Sequence, residues 1–354
     1  MPLIDENRYL AKAGLRGLAT TGKQGLKALI QSSGTKISIN AQGDESLTGQ
    51  SVGFRLAPRL NAAGRIASPR VALELLLSGD RKICEVLAAD IEEHNRVRRE
   101  LTLRVVSEAI ALVEKEVDLR HDAMIVVAGT GWGHGVLGLA ATRLAERYAR
   151  PAIVLGIEDG AANGSGMAKG SGRSVEGFDL GGVLQTTRHL LASGGGHAMA
   201  CGLSLPVASL PEFRELALRY VREKLKADGR TMDDLVPQVR ADCAVTRRDI
   251  TRQLLHDLAG FEPCGAGNAE ALLVLSGVSI VDTCAMGPGG RHLKWRIEAD
   301  GQCFEAVWFY PGEAAIGFGM GEIIDLCFSP QFNSYRGRDS VQLVVKAARA
   351  HAGV

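Results

Sequence analysis

Two glycine-rich polar segments, residues 170–174 (GSGRS) and 194–197 (GGGH), carry residue types that bind phosphate. Glycines let the backbone approach an anion and turn its N–H groups inward. Arg173 adds a planar fork of donors, and Ser171 and Ser174 add hydroxyl groups. We predict that both segments are loops that form one phosphate cradle; a pair of tight turns is the alternative interpretation. The second loop consists of Gly194, Gly195, Gly196 and His197.

The segments around this cradle indicate a small α/β domain. Residues 123–128 (AMIVVA) and 152–156 (AIVLG) are short apolar runs typical of buried strands, and residues 136–148 have a helical pattern. This order is that of a βαβ unit. Residues 213–226 predict an amphipathic helix that closes the domain, and residues 227–234 predict a charged hinge.

The first third of the chain is predicted to be helical. Residues 5–31 favour helix with a break near Gly22, residues 68–78 a short helix, and residues 81–117 one long helix. The long helix is apolar at both ends and charged over residues 92–100, which suits a strut between two domains. We expect its arginines to lie on a solvated or ion-paired face; the alternative is that they are nucleic-acid ligands.

Residues 55–66 (RLAPRLNAAGRI) concentrate three arginines and an asparagine around a proline and a glycine. This composition suits a polar surface that faces an interdomain cleft. The alternative is an arginine-capped turn that ties two domains together, in which Asn61 caps a segment beginning at Ala62.

Residues 235–350 alternate in short apolar runs separated by turn signals, which predicts a small five-stranded barrel. Because side chains alternate along a strand, Lys294 and Arg296 should share a face while Trp295 points the opposite way. Residues 308–310 (WFY) are expected to be partly core. A protein-interaction or spacer module is the alternative interpretation of this region.

The composition excludes a strongly basic nucleic-acid binder, because 41 Lys and Arg residues face 40 Asp and Glu residues. Any binding face must therefore come from local clustering. The seven cysteines are scattered without metal-ligand spacing, as expected for reduced thiols. No apolar run is long enough to span a membrane and no signal-peptide core is present, so we expect a cytoplasmic protein with no membrane partner.

Several motifs together resemble the RecJ family of single-strand-specific DNA exonucleases, within the DHH phosphoesterase superfamily. GSGRSVEGFDL followed by GGGHAMACGL resembles its DHHA1 domain. The remaining matches follow the family order over almost the whole chain: RLAPRLNAAGRI, EHNRVRREL, GFEPCGAGNAEALL, HLKWRI and NSYRGRDSVQLVV. The chain departs from the family at Gly133, where a histidine is usual, and at Cys264 and Ala269, where a bulkier residue and a proline are usual.

The resemblance implies an α/β plus all-β fold, with a DHHA1-type α/β domain and an OB-fold barrel joined to a long linker helix. The expected domains are residues 1–79, which follow a DHH domain and include the PRLNAAGR motif, 80–117 for the helix, 118–230 for DHHA1 and 231–354 for the OB-fold.

The resemblance also assigns roles to individual residues. In the family, the PRLNAAGR motif contacts substrate and the DHHA1 domain holds the 5′-phosphate. The expected 5′-phosphate and substrate ligands are Arg59, Asn61, Arg65, Ser171, Arg173, Ser174, Gly194, Gly195, Gly196 and His197. On the barrel, aromatic rings would stack on bases and cations would follow the backbone. The expected DNA-binding residues there are Lys294, Trp295, Arg296, Tyr335, Arg336 and Arg338.

The family reaction is stepwise 5′→3′ hydrolysis of single-stranded DNA with Mn²⁺ or Mg²⁺. The sequence contains no Asp-His-His triplet and no Asp-x-Asp pair, whereas two-metal phosphodiesterases need clustered carboxylates and histidines. The resemblance places position 1 just after the DHH domain. We therefore expect the DNA-gripping half of such an enzyme, which holds no catalytic residue and no metal and is inactive alone.

The expected partner is single-stranded DNA, with a separate DHH domain or a single-strand-binding protein as further candidates. The alternative function is a stand-alone single-stranded nucleic-acid-binding or docking module without a nuclease role. A DHHA1 relative that handles short nucleotides is a weaker possibility, since a small substrate needs no barrel to follow a strand.

Overall fold

The structure is a computed structural model that describes residues 2–39, 43, 45–158, 166–235, 238–290, 292–311, 317–335 and 338–352. The chain divides into two compact units. One comprises residues 1–22, 35–54 and 238–354, and the other comprises residues 23–34 and 55–237. The four-part division expected from sequence stays a prediction.

The helices and strands follow one another along the chain in an order close to that predicted. The helices are α1 (Asp5–Ala19), α2 (Gln24–Ser32), α3 (Gly49–Ser51), α4 (Ala57–Ile66), α5 (Arg70–Leu77), α6 (Arg81–Glu116), α7 (His134–Tyr148), α8 (Leu180–Thr186), α9 (Leu210–Ala227) and α10 (Arg252–Ala259). The strands are β1 (Ser38–Ile39), β2 (Glu45–Ser46), β3 (Ile125–Thr130), β4 (Ala152–Ile157), β5 (Met167–Arg173), β6 (Ser193–His197), β7 (Ala200–Pro206), β8 (Cys243–Ala244), β9 (Leu273–Met286), β10 (His292–Ala299), β11 (Gln302–Phe309), β12 (Ile323–Tyr335) and β13 (Arg338–Ala350). Within the described residues, no helix is both long and apolar enough to cross a membrane.

The first unit contains the expected five-stranded barrel. Its strands pair in the order β9, β10, β11, β13 and β12, and β12 pairs back with β9 to close the ring. Only β11 and β13 are parallel within the ring, and β8 adds to β9 outside it. The barrel core includes Trp295, Trp308 and Phe328. This strand order confirms the predicted all-β domain.

The second unit is built around a five-stranded sheet with the order β3-β4-β5-β7-β6. Strands β3 and β4 are parallel and α7 connects them, as the predicted βαβ unit requires. Helices α6 and α7 pack on the face that carries Val127 and Val154, and helices α8 and α9 pack on the face that carries Val126 and Ile153. The sheet therefore has an apolar core on both faces of β3 and β4.

Helix α6 connects two parts of this second unit. Its first half packs against α2, α4 and α5, and its second half packs against α7 and β3. The charged middle is partly ion-paired as expected, since Arg96 lies 2.6 Å from both Glu93 and Glu100. The helix begins after Asp80, whose carboxylate accepts hydrogen bonds from the backbone N–H groups of Lys82 and Ile83.

The structure decides against one alternative interpretation and corrects one prediction. The arginine-rich segment is helix α4, so the alternative of an arginine-capped turn does not hold; Pro58 lies in the first turn of this helix, where a missing N–H costs nothing. Asn61 is inside this helix and caps nothing. The two glycine-rich segments lie mainly in strands β5 and β6 rather than in loops. Register with the apolar strands β4 and β7 outweighs the low strand propensity of glycine here.

We predict that Asp80→Ala lowers the free energy of unfolding of this unit by about 1 kcal/mol, because α6 loses its N-cap. Urea denaturation followed by circular dichroism measures the change. Asp90→Ala is the matched control, since Asp90 is exposed in the helix interior and should tolerate alanine. Equal effects of both variants would show that the cap does not stabilise α6.

Candidate functional site

Strands β5, β7 and β6 present a polar surface on one side of the sheet. The register aligns Ser171 with Gly202 and Gly195, and it aligns Arg173 with Ala200 and His197. Residues directly opposite each other share a face, and every second residue of a strand does so too. We call this surface the polar face; it consists of Lys169, Ser171, Arg173, Ser193, Gly195, His197, Ala200, Gly202 and Ser204.

The floor of the polar face lacks side chains at two positions. A Cβ atom placed on Gly195 or on Gly202 would meet no atom within 4 Å, and neither glycine has a left-handed backbone. Both residues are exposed. On the opposite face a Cβ on Gly172 would lie 2.5 Å from Cys201 Sγ, so packing requires that glycine. Folding therefore explains Gly172, whereas it does not explain Gly195 or Gly202.

Arg173 stands at the side of this floor with its charge uncompensated. Its Nη1 donates to Ser171 Oγ at 3.1 Å and to the Gly172 carbonyl at 2.7 Å. Among the described residues, no carboxylate pairs with Arg173 and its Nη2 has no hydrogen-bond partner. The guanidinium fits because a Cβ on Gly138 of α7 would lie only 2.9 Å from Nη2. This half-buried cation is free to bind an anion.

Helix α4 reaches the same part of α7 through Arg65. A Cβ on Gly135 would lie 2.1 Å from the Arg65 carbonyl oxygen, so the two backbones touch. Arg65 Nη1 donates to the Gly135 carbonyl at 2.8 Å. A helical carbonyl points toward the residue four positions later, and positions three apart are surface neighbours. Arg65 and Arg173 therefore contact the same turn of α7, at Gly135 and Gly138 respectively.

The other two residues of the arginine-rich motif differ from each other. Arg59 donates from Nε and Nη2 to both carboxylate oxygens of Glu92, and its side chain is only 13% exposed. This ion pair makes Arg59 a bridge between α4 and α6, which does not support the expected direct contact with substrate. Asn61 is exposed and lines an open pocket of about 360 Å³ together with Arg65.

Not every glycine-segment residue lies on the polar face. Ser174 Oγ donates to the Phe178 carbonyl at 3.0 Å, so this hydroxyl holds the turn after β5. Gly194 and Gly196 belong to the opposite side of β6, where a Cβ would lie 2.9 Å or less from neighbouring atoms. His197 is exposed on the polar face, two strands from Arg173. The expected cradle thus reduces to Ser171, Arg173, Gly195 and His197, and sequence reasoning missed Gly202.

Cys201 lies in β7, and its side chain is on the buried side of the sheet, opposite the polar face. Burial raises the pKa of its thiol to about 11. The thiol is therefore protonated at neutral pH and is not a nucleophile.

The barrel residues also need correction. Trp295 is 1% exposed in the barrel core and packs edge to face on Trp308 at 5.5 Å, so no base can stack on it and its expected DNA contact is wrong. Lys294 Nζ lies 2.5 Å from Glu305 Oε1, which compensates its charge. Arg296 is exposed. Arg336 and the side chains of Tyr335 and Arg338 lie outside the described part of the chain.

Of the three residues expected to be partly core, Trp308 is buried, whereas Phe309 and Tyr310 belong to an exposed aromatic cluster on the barrel. The ring centroid of His292 lies 5.2 Å from that of Phe309 and 4.4 Å from that of Tyr310. Phe309 is 50% exposed and Tyr310 is 56% exposed. Strand alternation was the available signal, since Trp308 faces inward and Phe309 therefore faces outward.

Two domain families match the chain in the places that the fold indicates. The DHHA1 domain matches residues 121–223, and the RecJ OB domain matches residues 241–347. The first range contains the sheet with its polar face, and the second contains the closed barrel.

Relatives match nearly the whole chain. Single-stranded-DNA-specific exonuclease RecJ from Bacillus subtilis is 35% identical over 98% of this chain, and the protein of the same name from Dickeya dadantii is 31% identical over 98%. The chain spans only 42% and 58% of their lengths, respectively.

A solved structure supports the fold. RecJ of Thermus thermophilus in complex with Mn²⁺ aligns with all of this chain at a TM-score of 0.78 and 24% identity, and the chain covers 48% of it. A structure of the same protein with Mg²⁺ also aligns. The chain contains the DHHA1 and RecJ OB domains of the RecJ family and matches the C-terminal part of its RecJ relatives, whereas their DHH half lies outside the matched region.

Proposed function

We propose that this chain binds the 5′-phosphorylated end of single-stranded DNA on the polar face and so serves 5′→3′ exonuclease action. The observation that carries this proposal is the uncompensated Arg173 guanidinium beside a side-chain-free floor. A terminal phosphate carries more negative charge than an internal one and suits a bidentate contact. Gly195 and Gly202 leave room for the attached nucleotide, and Ser171 and Arg65 supply further donors.

The barrel contributes contacts along the strand in this proposal. OB-folds bind single strands by stacking bases on aromatic rings and by placing cations along the backbone. Phe309 and Tyr310 supply exposed rings and Arg296 supplies an exposed cation. Tyr335, Arg336 and Arg338 stay predicted ligands.

In this proposal, hydrolysis takes place on a DHH domain. That domain belongs either to the same polypeptide or to a separate protein. The solved RecJ structures contain Mg²⁺ or Mn²⁺. Within the described residues of this chain, no group of three His, Cys, Asp or Glu side chains could hold such a metal ion. A DHH domain is the protein partner that it requires; a single-strand-binding partner and a cytoplasmic location stay predictions.

A stand-alone binding or docking module is the second candidate. The exposed aromatic cluster on the barrel would serve it equally well. The two functions differ in whether a DHH domain added to the chain restores release of nucleotides.

Arg173→Ala should weaken binding of a 5′-phosphorylated oligothymidylate about 10- to 100-fold, because a charge-assisted contact is lost. Binding of the 5′-hydroxyl oligonucleotide should change much less. Fluorescence anisotropy measures both. Arg143→Ala, an exposed change on α7, is the control and should leave both affinities unchanged. Equal losses for the two DNA ends would reduce Arg173 to a general backbone contact.

Gly202→Val should leave the free energy of unfolding unchanged or raise it, because valine favours strands and the space above Gly202 is open. The same change should lower affinity for the 5′-phosphorylated strand by filling the floor. Gly172→Val is the contrasting variant and should destabilise the protein by about 1–3 kcal/mol through overpacking. Full DNA affinity in a folded Gly202→Val protein would show that ligand does not occupy the floor.

The chain alone with Mn²⁺ should bind 5′-phosphorylated single strands and release no nucleotides, because its sequence contains no Asp-His-His triplet. Adding a RecJ DHH domain in trans should restore stepwise release. Gel analysis of end-labelled strands measures both states. Nucleotide release by the pure chain would overturn the assignment of catalysis to a DHH half.

A further inference from the structure

Arg98, in the middle of α6, is a half-buried cation that the proposed function has not used. Its Nη2 donates to Asn95 Oδ1 at 2.8 Å, and Asn95 is only 2% exposed. Its Nε is buried without a hydrogen-bond partner. Within the described ranges, no carboxylate pairs with Arg98.

The charges around Arg98 are mostly of the same sign. Desolvation and the positive charges of Arg65, Arg99 and Arg59 lower the pKa of Arg98 from its ordinary value. Glu92 compensates Arg59 through a two-pronged ion pair. For Arg65 and Arg98, by contrast, the described residues supply no compensating carboxylate.

Such clustering is costly in the unliganded protein, because like charges repel most strongly where water is excluded. An anion between α4 and α6 removes this cost. The buried Asn95 fixes the direction of the guanidinium, which lowers the entropy lost on binding. A purely structural ion pair would instead include a carboxylate, as Arg96 does with Glu93 and Glu100 on the same helix.

We propose that Arg98, oriented by Asn95, binds an internal phosphate of the strand whose 5′-terminal phosphate lies on the polar face. Arg65 lies between the internal-phosphate position at Arg98 and the terminal-phosphate position at Arg173, because it contacts the turn of α7 that also packs against Arg173. This proposal rests on the proposed function and adds a second phosphate position to it. Arg98 is a binding residue in this account, and Asn95 is a positioning residue.

Arg98→Met should weaken binding of a 5′-phosphorylated oligothymidylate about tenfold, and its salt dependence should flatten by about 0.7 in the logarithmic slope, as for one lost phosphate contact. Competition by thymidine 5′-monophosphate should be unchanged, since that ligand has no internal phosphate. Arg96→Met is the matched control on α6 and should leave the slope unchanged, because Glu93 and Glu100 already compensate Arg96. An unaltered slope for Arg98→Met would overturn the proposal.

Neutral methylphosphonate linkages test the same contact without relying on one variant. Each of the first four linkages is replaced in turn, and binding to the unmodified protein, Arg98→Met and Arg98→Lys is compared. One linkage should weaken binding to the unmodified protein and to Arg98→Lys, and it should have little further effect on Arg98→Met. Equal effects in all three proteins would refute the contact. If Arg98→Met does not fold, Arg98→Lys must still show dependence on that one linkage.

The outcome is separable from that of the proposed function. Loss of the preference for a 5′-phosphate is read from Arg173→Ala, whereas the linkage effect is read from Arg98. Suppose that one methylphosphonate linkage weakens binding in an Arg98-dependent way but the protein shows no preference for a 5′-phosphate. That result would support the internal phosphate site at Arg98 and would reject the terminal phosphate site on the polar face.

Discussion

The close approach of other groups to helix α7 is the constraint on which the candidate site depends. At Gly135 the backbone of α4 touches the helix, and at Gly138 the Arg173 guanidinium does so. A methyl group at either glycine would push one partner away, by collision with a backbone oxygen at Gly135 and with the guanidinium at Gly138. Two segments more than a hundred residues apart in sequence therefore place their arginines over one turn of the same helix.

In the sheet of the second unit, the two sides of strands β5, β7 and β6 differ in composition and packing. One side of β5, β7 and β6 packs on α8 and α9, and glycines such as Gly172 make room for neighbouring side chains there. The other side carries serines, Lys169, Arg173 and two glycines above which nothing packs. Glycine thus serves packing on one side and open access on the other. Only the second use calls for a ligand.

Much of the fold could be predicted from the sequence, because regular periodicity reports burial. The barrel strands, the long helix α6 and the βαβ unit all follow from it. The glycine-rich segments were assigned to loops since glycine is a turn signal, whereas pairing with β4 and β7 makes them strands. Period-two alternation separates Trp295 from Lys294, but it does not tell which side faces the core.

The site was harder to predict than the fold, because it depends on pairs of residues distant in sequence. Arg59 and Arg65 look alike in the motif, yet Glu92 compensates one and not the other. Gly202 became visible only through its register with Ser171 and Gly195. The outward direction of Phe309 follows from the inward direction of Trp308, whereas Tyr310 is exposed because it lies just beyond the end of β11.

The most direct measurement is a crystal structure of this chain with a short 5′-phosphorylated oligothymidylate. Our account predicts the terminal phosphate within hydrogen-bond distance of Arg173 and Ser171, with its nucleotide over Gly195 and Gly202. A strand bound with its 5′-phosphate away from the polar face would contradict the account, even if the barrel held the remaining nucleotides.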